Sequence, residues 1–227
     1  MSRSTPAVAH PSATVVLLRD GANTCEVLLV RRSAQLAFHG GAWVFPGGRI
    51  DPDDYANGRT DDVVAAARCA AVREAREEAG LTIAVDDLVL ISRWITPEPL
   101  PKRFDTWFFA APAHNDDVHV DGGEIHDHRW FRVADALAAQ RASEIELPPP
   151  TYVTVLSLAE HRRAREALAA FARGPVLTFA PRLGTASDGP CTLYEGDAGY
   201  ATSDASVAGP RHRLVMASTG WRYERSG

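Results

Sequence analysis

The 227-residue sequence is poor in cysteine, carries a small net charge and lacks long apolar runs. Its three cysteines, Cys25, Cys69 and Cys191, are odd in number and widely separated, which argues against a disulfide framework and indicates reduced thiols in a cytosolic compartment. No apolar run approaches the roughly 18 residues that span a membrane. The net charge of -5 disfavours a broad nucleic-acid-binding surface. We therefore expect a cytoplasmic protein without a membrane or nucleic-acid partner.

The most informative segment that is present is R-E-A-R-E-E-A-G-L, residues 73–81. On a helix, Glu74, Glu77 and Glu78 stand three and four positions apart and therefore share one face. Crowded carboxylates repel one another, and a divalent cation such as Mg²⁺ reverses that cost because it prefers carboxylate oxygens. Mg²⁺ held in this way commonly also contacts phosphate. The segment predicts a metal-dependent enzyme that acts on a phosphorylated substrate.

The helix that carries these acids has recognisable ends, and a glycine loop precedes it. Residues 60–62, Thr-Asp-Asp, offer N-terminal caps, and Gly80 lies where a glycine closes a helix. Upstream, the loop 45–51 contains Gly47 and Gly48. Glycine permits backbone conformations that a side chain blocks and lets the main chain approach a ligand closely. Because the acidic helix follows this loop, we expect the loop to be part of the functional site.

Together these two segments resemble the signature of Nudix hydrolases, G-x5-E-x7-R-E-U-x-E-E-x-G-U, in which U is small or apolar. The second half matches at every position from residue 73 to residue 81. Gly48 lies 25 residues before Arg73, whereas the signature places its glycine 14 residues before, so we infer an 11-residue insertion in the polar stretch 52–60. In this alignment the first glutamate of the signature falls on Ala65, and one expected carboxylate is missing.

The resemblance implies an α/β Nudix fold, with a mixed β-sheet sandwiched between α-helices. It also implies that Glu74, Glu77, Glu78 and the main-chain carbonyl of Gly48 hold Mg²⁺ or Mn²⁺. Arg73 is expected to pair with a helix carboxylate and to orient it, which tunes the metal ligands.

A second motif narrows the expected substrate. Residues 28–48 resemble the pattern L-L-T-x-R-[SA]-x3-R-x3-G-x3-F-P-G-G of Nudix enzymes that cleave coenzyme A, with Val30 in place of Thr and Ala37 in place of Arg. Segments 94–109 and 147–151 resemble the acyl-CoA diphosphatase branch, the Nudix 19-like group. The resemblance implies cleavage of coenzyme A or acyl-CoA at the diphosphate, which yields 3',5'-ADP and (acyl-)4'-phosphopantetheine.

Further residues are expected to contact the substrate or take part in its hydrolysis. Arg31 and Arg32 follow a predicted strand and could bind phosphate through paired hydrogen bonds. Successive strand side chains point opposite ways, so one of the two should face the site, and Arg32 is the arginine that the motif names. Gly47 and Gly48 complete the predicted substrate-binding group. Glu124 lies in a later acidic loop, where it is either a metal ligand or general base, or a solvent-exposed acid. The predicted catalytic residues are therefore Arg73, Glu74, Glu77 and Glu124.

Two alternative functions remain open. The first is hydrolysis of another nucleoside diphosphate derivative, such as NADH, a dinucleoside polyphosphate or a nucleotide sugar. The second, from a different class, is a Nudix-fold ligand-binding or regulatory module without turnover, which the missing carboxylate at Ala65 motivates. In each case the expected partner is a small nucleotide-like molecule, and a homodimer is an open option.

The sequence pattern also predicts an organisation of the chain. Residues 1–12 are expected to be disordered, 13–174 to form the Nudix domain, and 175–227 to be an extension packed on the domain or on a partner subunit. Strands are predicted at 14–19, 25–31, 88–94, 103–111, 128–131, 176–179 and 213–216. Helices are predicted from 63, from 135 and over 151–172, the last of these stopped by Gly174 and Pro175.

Overall fold

The computed structural model describes residues 6–22, 24–35, 39–55, 62–113, 117–120 and 123–226. This part of the chain has the predicted α/β architecture, with a large mixed sheet and four helices. The helices are α1 (Val63–Ala79), α2 (Val133–Arg141), α3 (Pro149–Leu158) and α4 (Ala164–Arg173). Among these residues, no helix is long and apolar enough to cross a membrane.

The large sheet has the strand order β3-β2-β1-β6-β5-β8, with β4 paired to β1 and β7 paired to β2. Its strands are β1 (Ala9–Asp20), β2 (Cys25–Arg32), β3 (Trp43–Val44), β4 (Gly47–Arg49), β5 (Val89–Ile95), β6 (Arg103–Pro112), β7 (Ile125–Arg132) and β8 (Leu177–Phe179). Strand β1 is buried continuously from residue 12 to residue 18, as expected for a strand in the middle of a sheet.

The chain divides into two compact units. The larger unit comprises residues 11–92 and 106–177, and the smaller unit comprises the described residues of 1–10, 93–105 and 178–227. The core of the larger unit joins the alanine-rich face of α1 to apolar strand residues. Its fully buried members include Val15, Leu17, Leu28, Ala67, Ala70, Ala71, Ala75 and Phe109. Small alanine side chains let α1 approach the sheet closely, which brings its polar residues near strand main chain.

Helix α1 ends where the sequence predicts. The Asp62 side chain accepts a hydrogen bond from the main-chain N–H of Ala65 at 3.0 Å, which satisfies one of the free N–H groups of the first turn. Gly80 closes the helix in the left-handed conformation, with φ of 68°, which glycine adopts at little cost. The two other predicted cap residues, at positions 60 and 61, lie outside the described residues.

Two predictions of local structure are wrong, the disorder of residues 9–12 and the single helix over 151–172. Residues 1–12 were predicted to be disordered, but strand β1 begins at Ala9 and its Ser12 pairs with Arg49 of β4. Residues 9–12 are therefore ordered. The single helix predicted over 151–172 is two helices, α3 and α4. The second begins with the Ala164 N–H donating to the Asp20 carboxylate at 2.7 Å, a contact 144 residues away in sequence that no local periodicity reveals.

The chain after residue 180 forms a second sheet. Its strands are β9 (Arg182–Ala186), β10 (Gly189–Leu193), β11 (His212–Ala217) and β12 (Gly220–Arg225), in the order β12-β11-β10-β9. All neighbours in this small sheet are antiparallel. It has its own apolar cluster, formed by Cys191, Leu193, Ala205, Val215 and Ala217. The expected packing of residues 175–227 on the domain or on a partner subunit stays a prediction.

Candidate functional site

Strand β4 lies against the C-terminal turns of α1. The main-chain N–H of Gly47 donates to the Glu78 carboxylate, with the nitrogen 2.8 Å from Oε2. A Cβ atom on Gly48 would lie 2.2 Å from Glu74 Oε1, so a side chain at this position would displace that carboxylate. A Cβ atom on Gly47 would lie 2.4 Å from the carbonyl oxygen of Ala13. Gly47 is therefore needed for β4 to pack on β1, and Gly48 leaves the space that the Glu74 carboxylate occupies.

Arg73 lies at the centre of these acids. Its Nη1 is 2.8 Å from Glu74 Oε1 and 3.1 Å from Glu77 Oε2. Its Nη2 is 2.9 Å from Asp54 Oδ2 and 3.7 Å from Asp51 Oδ2. We call these five residues the Arg73 cluster. One guanidinium thus faces four carboxylates, which leaves the cluster strongly negative.

Asp54 supplies a carboxylate that the sequence alignment assigned to position 65. It lies on the short 3-10 turn Pro52–Asp54, is 7% exposed, and accepts hydrogen bonds from Arg73 Nε at 3.2 Å and Nη2 at 2.9 Å. Ala65 is exposed on the first turns of α1. The predicted position of the first signature acid was therefore wrong. Counting forward from Gly48 by the G-x5-E spacing reaches Asp54, with Asp in place of Glu, so the insertion follows this acid.

Burial and mutual repulsion perturb the acids of α1. Burial raises the pKa of Glu78 to about 8, against the hydrogen bond from Gly47, and the Glu74 charge adds to the increase. Burial also raises the pKa of Glu74, and the charges of Glu77 and Asp51 add to the increase. The hydrogen bond from Arg73 lowers this pKa but does not cancel the effect of burial. The hydrogen bond to Asp54 is the largest cause of a raised pKa for Arg73, which stays charged. An added cation would favour the ionised form of these carboxylates.

Arg32 and Glu124 lie at the edge of the same site. The Nη2 of Arg32 is 4.0 Å from Glu124 Oε2, and the main-chain N–H of Ser33 donates to the Glu124 carbonyl at 2.7 Å. The register between β2 and β7 shifts at this point, because Arg31 pairs with Asp127 and Arg32 pairs with Ile125. Such irregularities are common beside active sites, where they redirect side chains. Arg32 Nε is buried and has no hydrogen-bond partner among the described residues.

Arg31 is directed elsewhere. It is exposed, and its Nε donates to the carbonyl oxygen of Gly41 at 3.4 Å. Arg32, in contrast, is close enough to Glu78 and Glu124 for their charges to interact. The structure therefore brings Gly47, Gly48 and the α1 acids together, places Arg32 and Glu124 beside them, and separates Arg31 from that group.

The chemistry of the site fits a hard divalent cation. Glu74, Glu77, Glu78 and the main chain of Gly48 offer oxygen ligands of the type that Mg²⁺ and Mn²⁺ prefer. Within the described ranges, however, no three Asp, Glu, His or Cys side chains are already arranged to hold an ion. Glu74 and Glu77 both contact Arg73 Nη1, so ion binding would require these carboxylates to give up part of that contact.

Comparison with known proteins identifies the family. A family model described as NUDIX domain matches residues 8–149, more than half of the chain, so the chain belongs to the Nudix family. The crystal structure of a NUDIX hydrolase from Alicyclobacillus acidocaldarius is similar with a TM-score of 0.66 and 27% sequence identity, covering 74% of this chain and 99% of that chain. The predicted family and fold are therefore confirmed. Nudix hydrolases generally use divalent metal ions.

Two curated relatives come from Caenorhabditis elegans. The protein named "Putative nudix hydrolase 7" is 26% identical over 174 residues, which are 60% of this chain and 57% of that protein. Peroxisomal coenzyme A diphosphatase ndx-8 is 41% identical over 76 residues, which are 34% of this chain and 29% of that protein. The chain thus spans less than two thirds of the length of either relative.

Proposed function

We propose that this Nudix protein is a divalent-metal-dependent hydrolase of coenzyme A or acyl-CoA, which it cleaves at the diphosphate. The products are 3',5'-ADP and (acyl-)4'-phosphopantetheine. The observation that carries the proposal is the close approach of Gly47 and Gly48 to Glu78 and Glu74, beside an arginine shared by four carboxylates. The similarity over 76 residues to a relative named coenzyme A diphosphatase supports the substrate.

The acids of α1 and the carbonyl of Gly48 would hold Mg²⁺ or Mn²⁺. Such a cation neutralises diphosphate oxygens and lowers the pKa of water. Arg73 keeps Glu74 and Glu77 on one side of the helix through its Nη1. Asp54 in turn fixes the guanidinium from its other edge through two hydrogen bonds. The main-chain N–H of Gly47 fixes one oxygen of Glu78 and leaves the other oxygen to bind the cation.

Arg32 and Glu124 would act on the substrate and on the attacking water. The buried Nε of Arg32 and its terminal nitrogens can donate to an anionic phosphate oxygen, a charge-assisted contact that orients the diphosphate. Glu124 is 66% exposed in its side chain and lies 4.0 Å from Arg32. Its Oε2 can accept the proton of a water directed at the phosphorus. Phosphate bound to Arg32 would weaken the attraction between Arg32 and Glu124, so substrate binding would release the base.

The alternatives differ from this proposal at identifiable points. Hydrolysis of NADH, a dinucleoside polyphosphate or a nucleotide sugar would use the same acids with a different recognition surface. A non-catalytic module has less support, because its motivation was a missing carboxylate and Asp54 supplies a carboxylate to Arg73. A pure binding module also has little need to keep repelling acids so close together.

The test is a panel of coenzyme A, acyl-CoA, NADH, a dinucleoside polyphosphate and a nucleotide sugar, each with Mg²⁺ and with Mn²⁺, with the products read by mass spectrometry. We expect 3',5'-ADP from coenzyme A or acyl-CoA at the highest kcat/KM. Glu77→Gln should abolish this hydrolysis, whereas Glu160→Gln, at an exposed position outside the site, should leave it intact. The proposal that this protein is an enzyme would be refuted if no tested diphosphate were hydrolysed faster with metal. Equal rates in Glu77→Gln and wild type would also refute it.

A further inference from the structure

Strand β12 forms one edge of the small sheet. Of the strands that the structure describes, β12 pairs with β11 alone. The pairing runs from Gly220 to Arg225 without a shift in register, and the strand contains neither proline nor lysine. Natural sheets commonly use such residues, or a bulge, to protect an exposed edge from further pairing. This edge is therefore suited to accept another strand.

The main-chain groups of alternate residues of β12 point away from the sheet. Ser226 and Arg211 continue the register of β12 and β11, and the Ser226 N–H donates to the Arg211 carbonyl at 2.7 Å. Hydrogen-bonded and non-hydrogen-bonded pairs alternate along an antiparallel ladder. Tyr223 and Arg225 therefore belong to non-hydrogen-bonded pairs, and their N–H and C=O groups point towards the edge.

The sequence of β12 is complementary to itself in one antiparallel register. About a two-fold axis at Tyr223, Arg222 of one copy lies opposite Glu224 of the partner subunit. By symmetry, Glu224 of the first copy lies opposite Arg222 of the partner subunit. These positions form non-hydrogen-bonded pairs in the new ladder, where opposed side chains come closest. Two cross-strand ion pairs result, and each of them favours the register.

The neighbouring registers lack this complementarity. A two-fold axis at residue 222 would oppose Arg222 with its own copy, and an axis at residue 224 would do the same for Glu224. Like charges directly opposite each other destabilise a sheet. An axis at residue 221 or 225 shortens the paired segment and brings neither charge opposite an unlike one. An axis between two residues would set outward main-chain groups against inward ones, so no ladder could form.

Both charged side chains of β12 are accessible to a partner. The side chain of Arg222 is 49% exposed, and that of Glu224 is 35% exposed. Arg222 Nη1 lies 2.7 Å from Asp188 Oδ2, whereas Nη2 lies 3.4 Å from Glu224 Oε1. The contact within the strand is long, so it can be exchanged for a contact with a second copy while Asp188 continues to hold the guanidinium.

The opposite edge of the small sheet offers no such pairing. A two-fold axis at Gly184, the central residue of β9, would place Leu183 opposite Thr185 of the partner subunit. It would place Arg182 opposite Ala186 of the partner subunit, so no unlike charges would meet. The β9 edge is therefore an internal control for the β12 edge.

We propose that the β12 edge is the interface of a homodimer, in which the four-stranded sheets of two copies join through an antiparallel pairing centred on Tyr223. A two-fold interface uses the same surface on both subunits, and a self-complementary strand provides such a surface. A single strand edge buries less area than a standard interface, so the Kd should be on the order of 10–100 µM. The inference concerns the small sheet alone and is independent of the proposed function.

Sedimentation equilibrium at low salt, over about 1–500 µM protein, tests the interface. Wild type should show a reversible monomer–dimer equilibrium. Arg222→Glu opposes two glutamates at each contact and Glu224→Arg opposes two arginines, so each variant should weaken the dimer at least about tenfold. Thr185→Arg, at an exposed position of the β9 edge, is the matched control and should dimerise as wild type does. Circular dichroism checks that every variant is folded.

The two charge variants should form a dimer with each other. In the mixed dimer, the glutamates of Arg222→Glu face the arginines of Glu224→Arg at both contacts, so each contact is attractive again. An equimolar mixture should therefore dimerise with a Kd within about threefold of wild type, although each variant alone is mainly monomeric. Misfolding of either variant could not produce this result.

Four outcomes would overturn the proposal. Wild type that stays monomeric up to about 500 µM would refute the interface. A dimer that both charge variants form as tightly as wild type would lie on another surface. A loss in Thr185→Arg as large as that in Glu224→Arg would show a general effect of charge. Two folded variants that fail to dimerise when mixed would refute the register. None of these measurements uses hydrolysis of a diphosphate, so failure of the proposed function is distinguishable.

Discussion

Each unit of this protein contains an arginine that pairs with a buried acid, and the two arrangements differ in their balance of charge. In the smaller unit, Arg213 meets one acid, Asp197, through two hydrogen bonds of 2.7 and 2.6 Å, with side chains only 5% and 0% exposed. In the larger unit, Arg73 meets four acids and its side chain is 24% exposed. We call the first arrangement the Asp197–Arg213 pair. It is neutral and enclosed, whereas the Arg73 cluster is negative and open.

This difference in charge balance decides whether each arrangement can bind a further ion. Burial opposes ionisation of Asp197, but hydrogen bonds from Arg213, from the main-chain N–H of His212 and from that of Gly199 outweigh it and lower the pKa to about 2. Every charge in this pair is compensated, so it can fix the fold of the small sheet but has no capacity to bind another ion. The Arg73 cluster is less stable by itself, and its uncompensated charge is what a cation would neutralise.

The largest expected effect comes from breaking the enclosed pair. Arg213→Met leaves Asp197 buried and unpaired, and should lower the free energy of unfolding by about 3–5 kcal/mol, measured by urea denaturation. Arg222→Met is the matched control, because Arg222 meets Asp188 at 2.7 Å with side chains 49% and 40% exposed. Solvent screens an exposed pair, so its loss should change the free energy of unfolding far less than loss of the buried pair. Equal losses in the two variants would show that burial does not set the contribution of the pair.

Removing one acid from the open cluster should affect activity. Asp54→Asn keeps the size of the side chain but removes the charge that fixes Arg73, and should lower kcat/KM about 10–100-fold, as for residues that orient metal ligands. Ala65→Glu tests the rejected alignment with the same assay. It should change kcat/KM by less than about twofold in wild type and should fail to rescue Asp54→Asn. Rescue by this glutamate would show that position 65 can supply the first acid of the signature, and it would contradict the assignment of that acid to Asp54.

The enclosed pair should also respond to acid. The pKa of Asp197 is about 2 in the folded protein, below its ordinary value of 3.8, so its contribution is complete above pH 3.8 and is lost as pH falls towards 2. That contribution is about 2 kcal/mol. The free energy of unfolding, measured at pH 6 and at pH 2, should fall by about 2 kcal/mol more in wild type than in Asp197→Asn. The same pH dependence in both proteins would contradict the ionised pair.

The smallest expected effect concerns Asp62, an acid that belongs neither to the Arg73 cluster nor to the Asp197–Arg213 pair. Among the described residues, the Asp62 side chain accepts a hydrogen bond from the first turn of α1, so Asp62→Ala should lower the free energy of unfolding by about 1 kcal/mol. Asp86→Ala, at an exposed position without such a bond, should change it by less than about 0.5 kcal/mol. Thermal denaturation followed by circular dichroism compares the two. A larger loss from Asp86→Ala would show that the cap does not stabilise α1.

Local signals predicted much of the larger unit. The limits of α1 follow from Asp62 and Gly80, which act through neighbouring main-chain groups. The glycines of β4 and the acids of α1 were predicted together, because the Nudix signature records both segments at once. Contacts between distant residues were not predictable in this way. The helix predicted over 151–172 is interrupted, and the new start at Ala164 depends on Asp20, which lies 144 residues earlier.

Asp54 shows why part of the site was missed. Alignment backwards from Arg73 crosses the insertion and reaches Ala65, whereas alignment forwards from Gly48 reaches Asp54. Both alignments satisfy the spacing on one side, and only the contact between Asp54 and Arg73 decides between them. Of the small sheet only β11 was predicted, at 213–216, and its other three strands were missed for a related reason. Its strand β11 contacts the preceding loop through an ion pair between positions 16 residues apart, Asp197 and Arg213, and its apolar residues are too few to form a strong local pattern.

The contact between Asp54 and Arg73 joins the two sides of the inserted segment. The chain leaves at Asp54, which is held by the guanidinium, and returns at Asp62, which caps α1. The entropy of closing a loop grows only with the logarithm of its length, so doubling the segment costs about 0.6 kcal/mol. The contacts of Asp54 and Asp62 that hold the two ends of this segment do not involve the residues between them. A protein engineer can use the same position to introduce a fluorescent reporter next to the candidate site.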